Sequence, residues 1–183
     1  MINKIKNILP PEINKNIITK LCNQRNWCFP HDVHDQTRKD FFNNFVSGNV
    51  SNCGFSMVTY DQLNNIRIET DLNLYAEIIF YKIKQELKLN IHTISRIYWN
   101  YYDTASVANY HVDRTEAGYK SIIYNIHTND GGTYIENKFF RSNESEAIVF
   151  DSNVKHKGVA PSDYKHRFNL NIICSCDCIK KTT

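Results

Sequence analysis

After Leu89 the chain becomes a series of short segments rich in β-branched and aromatic residues: IHTISRIYWNYY, NYHVD, KSIIYNIHT, GTYIE, EAIVF, HKGVA and RFNLNIICSC. Turn material such as NDGG, SNES and DSN separates them. Seven strands of this kind fit a sandwich or a barrel. An aromatic content of 13%, with tyrosine in excess, favours strands and a pocket lined by amphipathic rings.

The first ninety residues read as largely helical. Pro10 and Pro11 followed by Glu12 open a helix of the type EINKNIITKLCNQ, with Ile13, Ile17, Ile18 and Leu21 on one face. A second helix is expected from about Asp71 to Lys88, where Leu72, Tyr75, Ile79, Ile83 and Leu87 recur at helical spacing. Between them GFSMVTYD suggests a strand, and FFNNFVSGN a short helix or loop. Helices ahead of a run of strands point to an α+β arrangement with a helical layer on one sheet.

At 183 residues the chain is expected to form one domain over 1–183, with helical support over about 1–90 and a β core over about 91–178. With 42% hydrophobic and 22% charged residues, global disorder is excluded as a description. A net charge of +3 is too slight to argue for nucleic acid. No apolar run approaches the ~18 residues that span a membrane. The start, MINKIKNILPPEI, lacks the apolar stretch of a signal peptide. Three of the six cysteines, Cys174, Cys176 and Cys178, crowd the last ten residues, which is no disulfide framework. A reducing cytoplasmic compartment is therefore the expectation.

In ANYHVDRTEAGYK, His111 and Asp113 stand two apart, and on a strand such residues share a face. Alone, the pair is better explained as a strand histidine satisfied by its neighbour, because buried polar pairs are common. His156, just after the apolar segment EAIVFD, supplies a third candidate ligand. Two histidines and one carboxylate occupy one face of an octahedral metal, an arrangement suited to non-haem Fe(II) that also binds a cosubstrate and dioxygen. Eleven residues past His156, Arg167 offers a guanidinium fork for a carboxylate. Asn100 and Tyr102 share strand parity and lie upstream of His111, where they can complete the hydrogen bonds to an anionic cosubstrate.

The order N-x-Y-x8-H-x-D, then Tyr124 in SIIYNI, then GG, then H-x10-R, resembles the Fe(II)/2-oxoglutarate-dependent oxygenases. It is most similar to the prolyl-hydroxylase-like branch, with the N-x-Y feature shared by AlkB-type demethylases. The resemblance covers residues 92 to 176. It implies a double-stranded β-helix (a cupin-like jelly roll) with supporting N-terminal helices. It also implies that His111, Asp113 and His156 hold Fe(II) and that Arg167 binds 2-oxoglutarate, with Asn100, Tyr102 and Tyr124 as its polar contacts. Lys165 shares parity with Arg167 and is the alternative, since some prolyl hydroxylases use lysine. The implied reaction consumes O2 and 2-oxoglutarate and hydroxylates a substrate, either a peptidyl side chain, prolyl first, or a small molecule. Asp113 argues against a halogenase, which lacks that carboxylate.

Two rival functions stay open on sequence. An AlkB-like nucleic-acid demethylase is disfavoured by Ile173, which stands where that group carries a second arginine. A cupin-type binding protein or isomerase would share the fold but has no need of a dicarboxylate clamp. His31 and His34 in HDVHD have no further ligand nearby in sequence, and CSCDC offers three thiols where structural zinc usually takes four ligands. Free cysteines are expected there.

Overall fold

The computed structural model describes residues 1–25, 27, 54–106, 108–164 and 166–176. The expectations placed on FFNNFVSGN, His31, His34, Lys165 and Cys178 lie outside the described residues.

Both predicted helices are present. Helix α1 (Pro11–Cys22) starts at a proline, which lacks only an N–H that a first turn leaves unsatisfied anyway, and carries Glu12 against its positive end. It buries Asn14, Ile17 and Leu21. Helix α2 (Asp71–Leu87) is capped by Thr70, whose hydroxyl accepts from the Leu72 N–H at 3.4 Å. It buries Leu72, Ala76, Ile79 and Ile83 and ends at Lys88, whose φ of 51° closes the last turn.

Ten strands are described: β1 (Asn3–Ile5), β2 (Phe55–Asp61), β3 (Ile66–Arg67), β4 (Ile91–Asp103), β5 (Tyr119–Asn125), β6 (Gly132–Ile135), β7 (Lys138–Arg141), β8 (Glu146–Asp151), β9 (His156–Val159) and β10 (His166–Cys176). A seven-stranded antiparallel sheet runs β1-β8-β5-β10-β4-β2-β3, and a second, antiparallel sheet runs β7-β6-β9. Three strands have no counterpart among the predicted segments. β1, β3 and β7 span three, two and four residues, too few for alternation to show. NYHVD is corrected as well: it forms no strand, and only His111 pairs, in an isolated antiparallel bridge to His156.

Period-two alternation divides the large sheet cleanly. Ile97 and Trp99 on β4, Ile122 and Tyr124 on β5, and Phe168, Leu170 and Ile172 on β10 join the core beneath α1 and α2. On the opposite face, Ile123 of β5 and Ile148 and Phe150 of β8 meet Ile135 and Phe140 of the small sheet in a second, smaller core. Much of the rest of this inner face is polar, with Ile173 and Val58 as apolar exceptions. β4 contributes Arg96, Tyr98, Asn100 and Tyr102, and β10 contributes Arg167, Asn169 and Asn171. Burying so many polar groups in a sheet is costly unless each is used.

Candidate active site

His111, Asp113 and His156 are brought together although 43 positions separate the last two. The His111 N–H donates to the His156 carbonyl and the His156 N–H to the His111 carbonyl, both at 2.9 Å. The Asp113 N–H donates to the Ser152 carbonyl at 2.9 Å. The segment carrying the H-x-D pair is thus pinned to the β8–β9 connection. One ligand atom from each of the three side chains lies within 4.8 Å of the others. His156 Nε2 is 3.5 Å from Asp113 Oδ2, and His111 Nε2 is 4.0 Å from Asp113 Oδ1. Asp113 and His156 are buried, whereas the His111 ring is half exposed and opens the cluster to solvent.

The tautomers follow from the backbone. His111 Nδ1 lies 3.1 Å from the Asn109 carbonyl and His156 Nδ1 3.0 Å from the Val154 carbonyl. A carbonyl only accepts, so each Nδ1 carries the proton and each Nε2 turns a lone pair toward Asp113. His156 Nε2 is buried and has no hydrogen-bond partner among the described residues. A divalent cation would satisfy it, and the donor set of two imidazoles and a carboxylate is that of a facial triad.

Burial alone would raise the Asp113 carboxyl, but Arg96, His156, His111 and the Ser121 hydroxyl together hold it below the ordinary carboxylate value. Burial likewise lowers His156, opposed by Asp113, and so favours the neutral imidazole that ligates metals. Arg96 Nη2 donates to Asp113 Oδ1 at 2.6 Å and Ser121 Oγ to Oδ2 at 2.5 Å. Neither Arg96 nor Ser121 stood out in the sequence. The signal for Arg96 was its parity with Asn100 and Tyr102 on one strand.

Arg167 is fully buried. Its Nη2 donates to Thr133 Oγ1 at 3.1 Å and Asn125 Oδ1 at 3.4 Å, and its Nη1 to the Val159 carbonyl at 3.5 Å. All these acceptors are neutral, and among the described residues no carboxylate pairs with it. Burial pulls its pKa down to about 10, with Tyr102 opposing, so it remains charged at neutral pH. Among the described residues, Arg167 Nε and Asn125 Nδ2 are buried without hydrogen-bond partners. A buried cation and two idle donors form a place for an anion.

Tyr102 and Asn100 face the same interior. The Tyr102 ring lies 5.2 Å from the Arg167 guanidinium carbon. Asn100 accepts from Ser56 Oγ at 2.7 Å and donates to Asn169 Oδ1 at 3.0 Å. Tyr124 does not join them, and the expectation is corrected. Its side chain points to the helices, where its hydroxyl donates to Asn14 Oδ1 at 2.6 Å. Its neighbour Asn125 has the opposite parity and reaches Arg167 instead. Thr133, in the small sheet, was not legible from sequence.

No family model matches the sequence, and no curated protein matches it. Solved structures do match in shape. A prolyl-4-hydroxylase from Pseudomonas putida is 13% identical, with 95% of this chain and 91% of that one covered at a TM-score of 0.56. The non-haem α-ketoglutarate-dependent epimerase SnoN of nogalamycin biosynthesis is 8% identical over 95% and 78% of the two chains, with a TM-score of 0.66. HygX from Streptomyces hygroscopicus, solved with nickel and 2-oxoglutarate bound, is 7% identical over 95% and 82%, with a TM-score of 0.62. The structural neighbours are thus prolyl hydroxylases and other 2-oxoglutarate-dependent non-haem oxygenases. The fold is their jelly roll, the double-stranded β-helix, with α1 and α2 as supporting helices.

Proposed function

We propose that the protein is an Fe(II)- and 2-oxoglutarate-dependent dioxygenase that hydroxylates a peptidyl side chain or a small molecule. The observation that carries this reading is a pairing across one interior face. Among the described residues, a His-Asp-His cluster with a buried, unsatisfied Nε2 stands at one position, and a buried arginine without a carboxylate stands at another. A cupin-type binding protein would need the first and not the second.

His111, Asp113 and His156 would hold the iron, and bound iron would supply the activation of dioxygen that couples 2-oxoglutarate decarboxylation to substrate oxidation. The protein's own part is positioning. The Asn109 and Val154 carbonyls fix both imidazoles, and Arg96 and Ser121 fix both carboxylate oxygens. Arg167 would offer its fork to the distal carboxylate of 2-oxoglutarate, with Asn125 Nδ2 as a further donor and Tyr102 as the wall beneath the guanidinium. Phe150 packs edge-on to the His156 ring at 4.9 Å between centroids and, with Ile123, Ile135 and Ile148, keeps water from the buried side of the cluster.

The substrate proposal leans on the prolyl hydroxylases among the neighbours, one of them, from Trichoplax adhaerens, solved with a peptide fragment of hypoxia inducible factor. The half-exposed His111 places the open side of the cluster where a side chain could approach. Anaerobic addition of Fe(II) and 2-oxoglutarate should produce the weak visible charge-transfer band of the chelate in the wild type and none in His156→Ala. With O2 admitted, succinate release should exceed the uncoupled background with proline-containing peptides or free amino acids. Absence of the band in the wild type overturns the reaction class. Succinate stimulated only by methylated oligonucleotides overturns the substrate.

A further inference from the structure

Arg96 sets a guanidinium directly against the carboxylate of the His-Asp-His cluster, its Nη2 2.6 Å from Asp113 Oδ1. Strand β4 places it opposite Ile173 of β10 and Asp61 of β2, on the polar inner face. Its side chain is only 10% exposed, and Asp113, which accepts its hydrogen bond, is 1% exposed. The guanidinium carbon lies 4.4 Å from the centre of the Tyr98 ring, and the Tyr98 hydroxyl in turn donates to Asp61 Oδ2 at 2.9 Å. Asp61 is itself fixed by the N–H groups of Leu63 and Asn64 and by the Asn64 amide. This chain of contacts leaves the guanidinium little freedom to move. With Ser121 on the other oxygen, the Asp113 carboxylate is held at both ends by the protein.

Resting on the reading of this cluster as a metal site, we propose that Arg96 is a positioning residue that trades metal affinity for anion affinity at the centre. Two effects of a fixed cation beside a metal carboxylate have opposite signs. It repels a divalent cation arriving among His111, Asp113 and His156. It attracts an anion that binds next to that cation. In a buried site both effects are larger than in water, because the effective dielectric constant is lower. Arg96 and Arg167 stand on the neighbouring strands β4 and β10, so the polar face carries a cation toward each end. That arrangement suits a dianion, and it would oppose over-tight metal binding by a carboxylate that burial makes a strong ligand.

A brace that merely kept Asp113 in place would behave differently, since its loss weakens both ligands together. The test therefore measures two affinities on one set of proteins. Mn(II) is titrated by calorimetry into metal-free wild type, Arg96→Gln and Arg96→Lys, and 2-oxoglutarate is then titrated into each Mn(II)-loaded protein. Arg96→Gln should bind Mn(II) about tenfold more tightly or better, and 2-oxoglutarate about tenfold more weakly or worse. Arg96→Lys, which keeps the charge, should stay near wild type in both. If Arg96→Gln does not fold by circular dichroism, Arg96→Met takes its place with the same expected signs. Changes of the same sign in both affinities, or no change in either, overturn the proposal and leave the metal reading intact. Wild-type protein that takes up no Mn(II) overturns the metal reading, and this inference with it.

Discussion

His111 and His156 are joined twice through their backbones, each N–H donating to the other's carbonyl at 2.9 Å. Their rings lie 4.4 Å apart between centroids, tilted by 54°. The pair therefore keeps its geometry when one side chain is removed.

For that reason His111→Ala, Asp113→Ala and His156→Ala should each retain the fold while losing Fe(II) and Mn(II) binding. A three-ligand site has no spare donor. Calorimetric titration of Mn(II) beside a circular-dichroism melt separates the two effects. Metal binding at wild-type strength in any variant removes that residue from the site. Asp113→Ala should also be the least stable of the three, because it takes from the buried Arg96 guanidinium the carboxylate that accepts its hydrogen bond at 2.6 Å, a loss on the order of 3 kcal/mol.

Arg167→Ala should raise the 2-oxoglutarate concentration needed for half-maximal turnover by about a hundredfold, the order expected for a charge-assisted bidentate contact in a buried site. Arg167→Lys should recover only part of this, since an ammonium is a point donor and cannot reproduce the fork. Succinate formation against 2-oxoglutarate concentration measures both. An unchanged requirement in Arg167→Ala would pass the role to Lys165.

Gly158→Ala tests whether Tyr102 supports Arg167. A Cβ at Gly158 would stand 2.6 Å from the Tyr102 hydroxyl oxygen and 2.7 Å from the ring carbon that bears it. The ring must shift, and it is the ring beneath the guanidinium. The substitution should cost about 1–3 kcal/mol, as overpacking does, and weaken 2-oxoglutarate binding more than Mn(II) binding. Equal weakening of both would mean that the clash spreads beyond the arginine.

The acid limb of stability should carry a signature of His127. Burial first, then the neighbouring His166, lowers its pKa to about 4, and its Nε2 accepts the Phe168 N–H at 3.2 Å. A folded value below the ordinary 6.5 means that the unfolded chain binds the proton more readily between those two values. The contribution to stability is thus present above pH 6.5 and is lost as pH falls toward 4. His127→Gln should flatten the decline in melting temperature over that window, as read by melts from pH 7 to pH 4. An identical slope in the variant would assign the acid lability elsewhere.

Much of this architecture was legible because it rests on local repetition. Pro11 at a helix start, the Leu72–Ile79–Ile83 stripe and the alternating runs of β4, β5, β8 and β10 follow from side-chain periodicity, which one sequence displays in full. The order and spacing of His111, Asp113, His156 and Arg167 were likewise open to reading, since each is a chemically distinctive residue at a strand or turn. Parity was the weak point. Tyr124 and Asn125 are adjacent, so a one-residue difference in register sends one toward α1 and the other toward Arg167, and the resemblance to the oxygenase pattern pointed to the tyrosine.

Tertiary structure decided what no spacing encodes. Thr133 meets Arg167 only because the small sheet folds over the large one, and Arg96 meets Asp113 only because the β8–β9 connection pins the H-x-D segment over the start of β4. The sequence alone determined which ligands the chain offers. The closing of one sheet on the other determined which charges stand beside them, because electrostatic partners are set by distance in space, which a sequence position does not carry.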